Sequence, residues 1–321
     1  MLSAGLALVG AIIYGAADFL GGLAAKRLRS IVVTSAAAAS GFVVLVFALP
    51  FVGGAWSATD VAWGVLAGAI GVVAIALLYA CLALGPMSIL SPLTAVVSAI
   101  APMLWGLLVD GETLSLLGYA GLGVALIAVV LVGFIPGEKV VRPGVRGLVM
   151  AVGAGLAIGS FLIVIDQTSS ESGLVPLVMT RVTNMAITFV IIGVLVVRAL
   201  RRGRPAASVL DVSGVAIGAT PSGHADLEHA APAGTAESGG AGSRTRAWWL
   251  AIACGVVDAA ANALMLLALR TGDLTIVSAL TALYPAGTIL LAAIVLRERV
   301  AAVQWAGLAL ALFAGGMLAL A

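Results

Sequence analysis

The sequence predicts an all-α integral membrane protein: ten transmembrane helices arranged as two inverted five-helix repeats. Three observations carry this: an apolar composition, ten apolar runs of spanning length, and a repeat of the first half in the second. Hydrophobic residues make up 62% of the chain and charged residues 9%, against roughly 25% charged in a soluble domain. Mean hydropathy is +1.22. Helices are favoured over strands because lipid offers no partner to an open backbone, and the runs lack the period-two alternation of a barrel.

A helix needs about 20 apolar residues to cross a ~30 Å hydrocarbon core. Runs of that kind cover approximately 2–25, 31–52, 61–84, 87–109, 114–135, 146–166, 174–197, 248–269, 274–296 and 301–320. The first is too long for the apolar region of a signal peptide, and no basic stretch precedes it, so it reads as a membrane helix. The one long break, 198–246, is rich in Pro, Gly, Ala and Ser with scattered charge, and predicts a disordered loop. Two units follow: 1–136, and 145–320 interrupted by that loop.

The halves repeat each other in order. SILSPLTAVVS at 88–98 matches TIVSALTALYP at 275–285 in five of eleven positions, and GYAGLGVAL at 118–126 matches QWAGLALAL at 304–312 in five of nine. YGAADFL at 14–20 echoes LAIGSFL at 156–162. An odd number of spans per half makes the two halves enter the membrane in opposite directions, an arrangement of transporters with a site near the midplane. Numbering each loop by the span before it, the odd loops hold fourteen of the sixteen basic residues, the even loops hold Arg270, and Arg181 is intramembrane. The positive-inside rule then places the odd loops in the cytoplasm and both termini outside. The frequent glycines, as in Gly64-xxx-Gly68 and Gly155-xxx-Gly159, imply close helix packing.

Charge inside such runs is costly and usually faces a cavity or a partner. Asp258 lies about ten residues into the eighth span, near the midplane at ~1.5 Å per residue. Asn262, at i+4, projects from the same face. A carboxylate there can bind a cation or an amine, or take up a proton when desolvation raises its affinity for one. A hydrogen-bonded pair holding helices together is the alternative. Arg181 lies about ten Å into the seventh span from its start, with Asn184 at i+3. It reads as an anion contact, as a counter-ion to Asp258 or Asp18, or as a side chain that snorkels to the surface. Asp18, with Tyr14 at i−4, reads either as part of a gate or as an interfacial carboxylate. Tyr284 sits mid-span before Pro285, where a helix break would free backbone carbonyls. Asp110, Glu112 and Glu298 read as solvated groups at span ends, and Cys81 and Cys254 as small packing residues.

Several motifs together resemble the drug/metabolite transporter superfamily, specifically its EamA-type ten-helix members. They are Leu82-Ala83-Leu84-Gly85-Pro86 before the fourth span, Asp110-Gly111-Glu112-Thr113-Leu114 after it, and Arg297-Glu298-Arg299-Val300 after the ninth. Tyr14-Gly15-Ala16-Ala17-Asp18-Phe19-Leu20-Gly21-Gly22 is similar to a first-helix motif of some members. The likeness covers nearly the whole chain outside 198–246. It implies two five-helix repeats around a central cavity and secondary transport of amino acids, other metabolites or toxic compounds, often outward and without ATP. It also implies a proline in the middle of each fourth-type helix. Pro285 fits, but Ser98 stands at the matching place, with Pro92 and Pro102 nearby. Members are generally drawn with both termini cytoplasmic, opposite to the charge distribution here.

The functional expectation is therefore a multi-pass secondary transporter of the cytoplasmic membrane, an exporter coupled to a proton or exchange gradient. The expected site is Asp258, Asn262, Arg181, Asn184, Asp18, Tyr14 and Tyr284. The expected partners are a small-molecule substrate, the lipid bilayer and a proton as coupling ion, for a monomer or homodimer. The alternative is a non-transporting membrane sensor or structural protein on the same fold. No nucleophile–base pair, metal-spaced Cys/His cluster or phosphate-binding loop points to an enzyme, a cofactor or a metal, and the dispersed basic residues do not point to nucleic acid.

Overall fold

The computed structural model describes residues 1–82, 87–132, 144–210, 215–216, 220–221, 231–232, 241–296 and 301–321. The motif residues 83–86 and 297–300 and both histidines lie outside these. Helices α1 (Leu2–Ala25), α2 (Ser30–Val52), α3 (Ala58–Leu82), α4 (Met87–Leu108) and α5 (Leu116–Val132) form the first half. Helices α6 (Val145–Asp166), α7 (Val175–Arg201), α8 (Ala241–Thr271), α9 (Leu274–Thr281), α10 (Tyr284–Leu291) and α11 (Ala302–Leu320) form the second. Among the described residues, eight helical segments are long and apolar enough to cross a membrane, α9 and α10 counting as one, and two shorter apolar helices lie at 93–108 and 116–132. The chain is thus a multi-pass membrane protein.

The ninth span is broken. α9 ends at Thr281 and α10 begins at Tyr284, with Pro285 in its first turn, where a missing N–H costs no helical hydrogen bond. The span then passes into a π-helical turn, Ala292–Leu296. α4, the span that the sequence repeat pairs with it, runs unbroken from Met87 to Leu108. The two spans therefore do not bend alike.

Helix pairs approach through small residues, as expected where lipid supplies no hydrophobic drive for association. α1 packs on α8, α9 and α10; α3 packs on α6 and α7; α2 packs on α7 and α8; α4 packs on α6 and α9; and α5 packs on α11. α5 and α11 run antiparallel: Gly121 meets Leu318, and Gly307 meets Val132. A side chain at Gly255 of α8 would collide with the Ala37 carbonyl of α2.

The loops gather at two ends. At the even-loop end, the Ala55 N–H donates to the Glu171 carbonyl at 2.7 Å. The Asp60 carboxylate accepts from the Ser57 hydroxyl at 2.5 Å and from the Ser169 N–H and hydroxyl at 2.7 and 2.9 Å. Glu112, expected as a solvated group, instead accepts from the Leu274 and Thr275 N–H groups at 2.6 and 2.9 Å, capping the start of α9. At the odd-loop end, the segment 198–246 differs from a wholly disordered loop in its described residues. α7 continues to Arg201, Ala206–Leu210 forms a 3₁₀ turn, and Val209 is buried. The Arg29 N–H donates to the Leu210 carbonyl at 2.9 Å. Strands β1 (Val215–Ala216) and β2 (Ala231–Pro232) pair antiparallel. Thr220 and Pro221, between them in sequence, are buried.

Candidate functional site

The polar interior is assembled from four helices. α7 presents Arg181, Asn184 and Thr188, all buried and spaced at i, i+3 and i+7 along one face. α8 presents Asp258 and Asn262 one turn apart, and α1, packed on α8, presents Tyr14 and Asp18. α2 lies between α7 and α8 and offers Gly41, where an added Cβ would stand 3.4 Å from Arg181 Nε. The guanidinium therefore crosses α2 at a residue without a side chain.

Arg181 and Asp258 meet directly. Arg181 Nη2 donates to Asp258 Oδ2 at 2.5 Å, with relative exposures of 1% and 0%. Of the roles open to Arg181, the observed one is counter-ion to Asp258; its depth excludes snorkelling. The remaining guanidinium nitrogens, Nε and Nη1, find no acceptor among the described residues. Asn262 Nδ2 donates back to the Asp258 carbonyl at 2.7 Å, one helical turn away. Its amide thus braces the backbone that carries the carboxylate.

Asp18 is 0% exposed, which overturns its reading as an interfacial carboxylate. It belongs to the same electrostatic neighbourhood: Asp18, Asp258 and Arg181 all act on the buried Cys254, one turn before Asp258. Two carboxylates and one guanidinium thus share one buried region. The Tyr14 hydroxyl donates to Met265 Sδ at 3.4 Å, so Tyr14 ties α1 to α8. Tyr284 is buried at the start of α10, and its carbonyl faces Gly15 of α1, where a Cβ would not fit. The Thr288 hydroxyl donates to the Gly15 carbonyl at 3.2 Å. Tyr14 and Tyr284 thus hold α1 to its neighbours, while Asp18, Arg181 and Asp258 carry the charge.

Asn184 has an unforeseen partner. Its Nδ2 donates to the Pro221 carbonyl at 2.9 Å, and its Oδ1 finds no donor among the described residues. Sequence reading also missed Gly41, Gly71 and Pro221. The two glycines carry no chemical signal of their own, and Pro221 lies in a stretch without apolar periodicity.

A solved structure described only as "Crystal structure of protein" superposes with a TM-score of 0.63 at 16% identity, covering 97% of this chain and 98% of that one. At that identity it shows a shared fold. No curated protein matches the sequence. Residues 235–320, holding Asp258, Asn262 and the broken ninth span, match the EamA-like transporter family. Over those residues the chain is thus similar to EamA-like transporters of the drug/metabolite type.

Proposed function

We propose that this protein is a secondary transporter of a small metabolite, amino acid or toxic compound, acting as an exporter in the cytoplasmic membrane. Transport is coupled to a proton or exchange gradient through Asp258. The observation that carries the reading is the buried Arg181–Asp258 pair, joined by a second buried carboxylate, Asp18, at the crossing of α1, α2, α7 and α8. Protonation of Asp258 weakens its hold on Arg181 and frees the guanidinium for an anionic group of the solute. Loss of that solute restores the pair. Asn262, Asn184, Tyr14 and Tyr284 shape the path around this exchange.

The same reading takes the ten spans as two inverted repeats. Exchanging each span with the one five places along turns the α1–α8 contact into α6–α3, α2–α8 into α7–α3, and α4–α6 into the contact of the ninth span with α1. The antiparallel α5–α11 pair maps onto itself. Both patterns support a two-fold axis in the membrane plane.

The second reading, a non-transporting sensor or structural protein, is favoured by one feature: both partners of the central pair are closed off from solvent. Asp258→Asn separates the two. It keeps the shape and hydrogen-bonding capacity of the side chain and removes its charge. Untargeted comparison of metabolites exported by cells carrying wild-type protein, Asp258→Asn or no protein should show a set of solutes that only the wild type moves. An Asp258→Asn profile equal to wild type, with the same pH dependence, would mean the carboxylate serves structure alone.

A further inference from the structure

Thr220 and Pro221 lie in the transmembrane interior. Asn184 stands ten residues into α7 and seventeen before its end at Arg201, so it lies ~25 Å along the helix from the odd-loop end. Pro221 nevertheless meets it: the Pro221 carbonyl accepts from Asn184 Nδ2 at 2.9 Å. That carbonyl also rests on Gly71, midway along α3, where an added Cβ would lie 2.7 Å away. Thr220 is 0% exposed. α7 ends at Arg201, and Leu210 is tied to the α1–α2 turn. Nine residues lie between Leu210 and Thr220, and the ten residue steps can reach at most ~33 Å.

The geometry points to a plug: the Thr220–Pro221 segment occupies the path between α3 and α7 from the odd-loop end and must leave before a solute can reach Arg181 and Asp258 from that side. This inference rests on the transporter reading for its purpose, but not for its test. Non-helical backbone at membrane depth is tolerated only where protein or a water-lined cavity surrounds it. Here α3 supplies a bare glycine and α7 supplies an amide donor. Asn184 lies one turn from Arg181 on the same helical face. A solute offering a carbonyl or carboxylate oxygen to Asn184 therefore competes with Pro221 for the same donor. Even-loop contacts hold the other end together, so the plug makes the structure a state closed to solute from the odd-loop side.

Thr188 is the reporter of choice. It is buried on the α7 face that holds Asn184, and its hydroxyl donates to the Asn184 and Met185 carbonyls of its own helix. With Cys81 and Cys254 replaced by Ala, Thr188→Cys is exposed to a small hydrophilic maleimide in membrane fragments open on both sides. Gly71→Val should raise its labelling rate at least ten-fold, because the added side chain collides with the Pro221 carbonyl. Deletion of 215–232 should do the same. Ala206→Cys, exposed in the 3₁₀ turn, gives the rate of an unshielded thiol. Equal Thr188→Cys labelling with and without Gly71→Val, or labelling as fast as Ala206→Cys in the unaltered loop, would overturn the plug. Neither result bears on transport itself, which Asp258→Asn tests separately.

Discussion

Two arginines, one at the even-loop end and one inside the bundle, solve the same problem in opposite ways. Arg270, at the end of α8, is half-buried; it donates to neutral oxygens, and the carboxylates of Asp166 and Asp60 act on it from nearby. It donates to the Thr168 carbonyl, to the Thr168 hydroxyl at 2.6 Å and to the Ser172 hydroxyl at 3.2 Å. Arg181, at 1% exposure, has one carboxylate oxygen and, among the described residues, leaves two nitrogens without acceptors. A guanidinium held by three neutral oxygens is a fixed clamp; here it binds the α6–α7 turn to α8. An arginine held by one titratable carboxylate has a partner that can let go. The outer contacts are fitted for permanence and the inner pair for exchange.

The sharpest way to break this contrast is to remove Arg181. Arg181→Ala strips the cation from a fully buried carboxylate, and breaking a buried pair by removing one partner costs about 3–5 kcal/mol. Transport should be lost, and thermal unfolding in detergent should shift down by several degrees. Arg181→Lys keeps the charge but loses the planar fork, so it should retain more of both. The double variant Arg181→Leu/Asp258→Leu removes both charges and should recover most of the stability without recovering transport. Recovery of transport as well would make the pair a structural brace, no different in kind from Arg270.

Arg270→Met should act in the other direction. It removes three hydrogen bonds to neutral oxygens at a half-exposed site, costing about 1–2 kcal/mol. Transport per folded molecule should change less than two-fold, and its pH dependence should stay that of the wild type. A shifted pH profile in Arg270→Met would show that the clamp takes part in coupling and would erase the distinction.

The sequence reveals the charged centre because its signal is local. Asp258 and Arg181 are anomalies within apolar runs, and such residues have few explanations in lipid. The break before Pro285 is legible for the same reason. What the sequence hides is relational. Gly41 matters because Arg181 passes it, and Gly71 because a loop carbonyl lies on it; a glycine in a membrane helix reads as packing wherever it stands. Glu112 belongs to a short motif after the fourth span, yet its partners are the Leu274 and Thr275 N–H groups of the other half. Pro221 sits in a segment whose composition signals disorder. Composition cannot show that two of its residues find a socket between α3 and α7.

The smallest effect lies at the even-loop end, where Glu112 caps α9 beside other acids. Burial, and secondarily Glu112, pushes the Asp110 carboxyl above its ordinary range, and the same two causes push Asp273 up. The folded protein thus holds these protons more tightly than the unfolded chain. Stability from this source is fully present at low pH and falls as pH rises from the ordinary carboxylate range through the raised values. Glu112→Gln removes one cause of both shifts, so the fall should become shallower. The same change leaves one acceptor oxygen for two N–H donors and removes a negative charge from the start of α9, costing about 0.5–1 kcal/mol near neutrality. Melting temperature measured from pH 3.5 to 7 should therefore start closer to wild type at the acid end and separate less than additive loss of cap and charge would give. A pH slope identical to wild type would show that Glu112 acts on α9 alone and that burial accounts for the raised carboxyls. The even-loop end would then be a purely geometric lock, in still clearer contrast to the titratable pair at the centre.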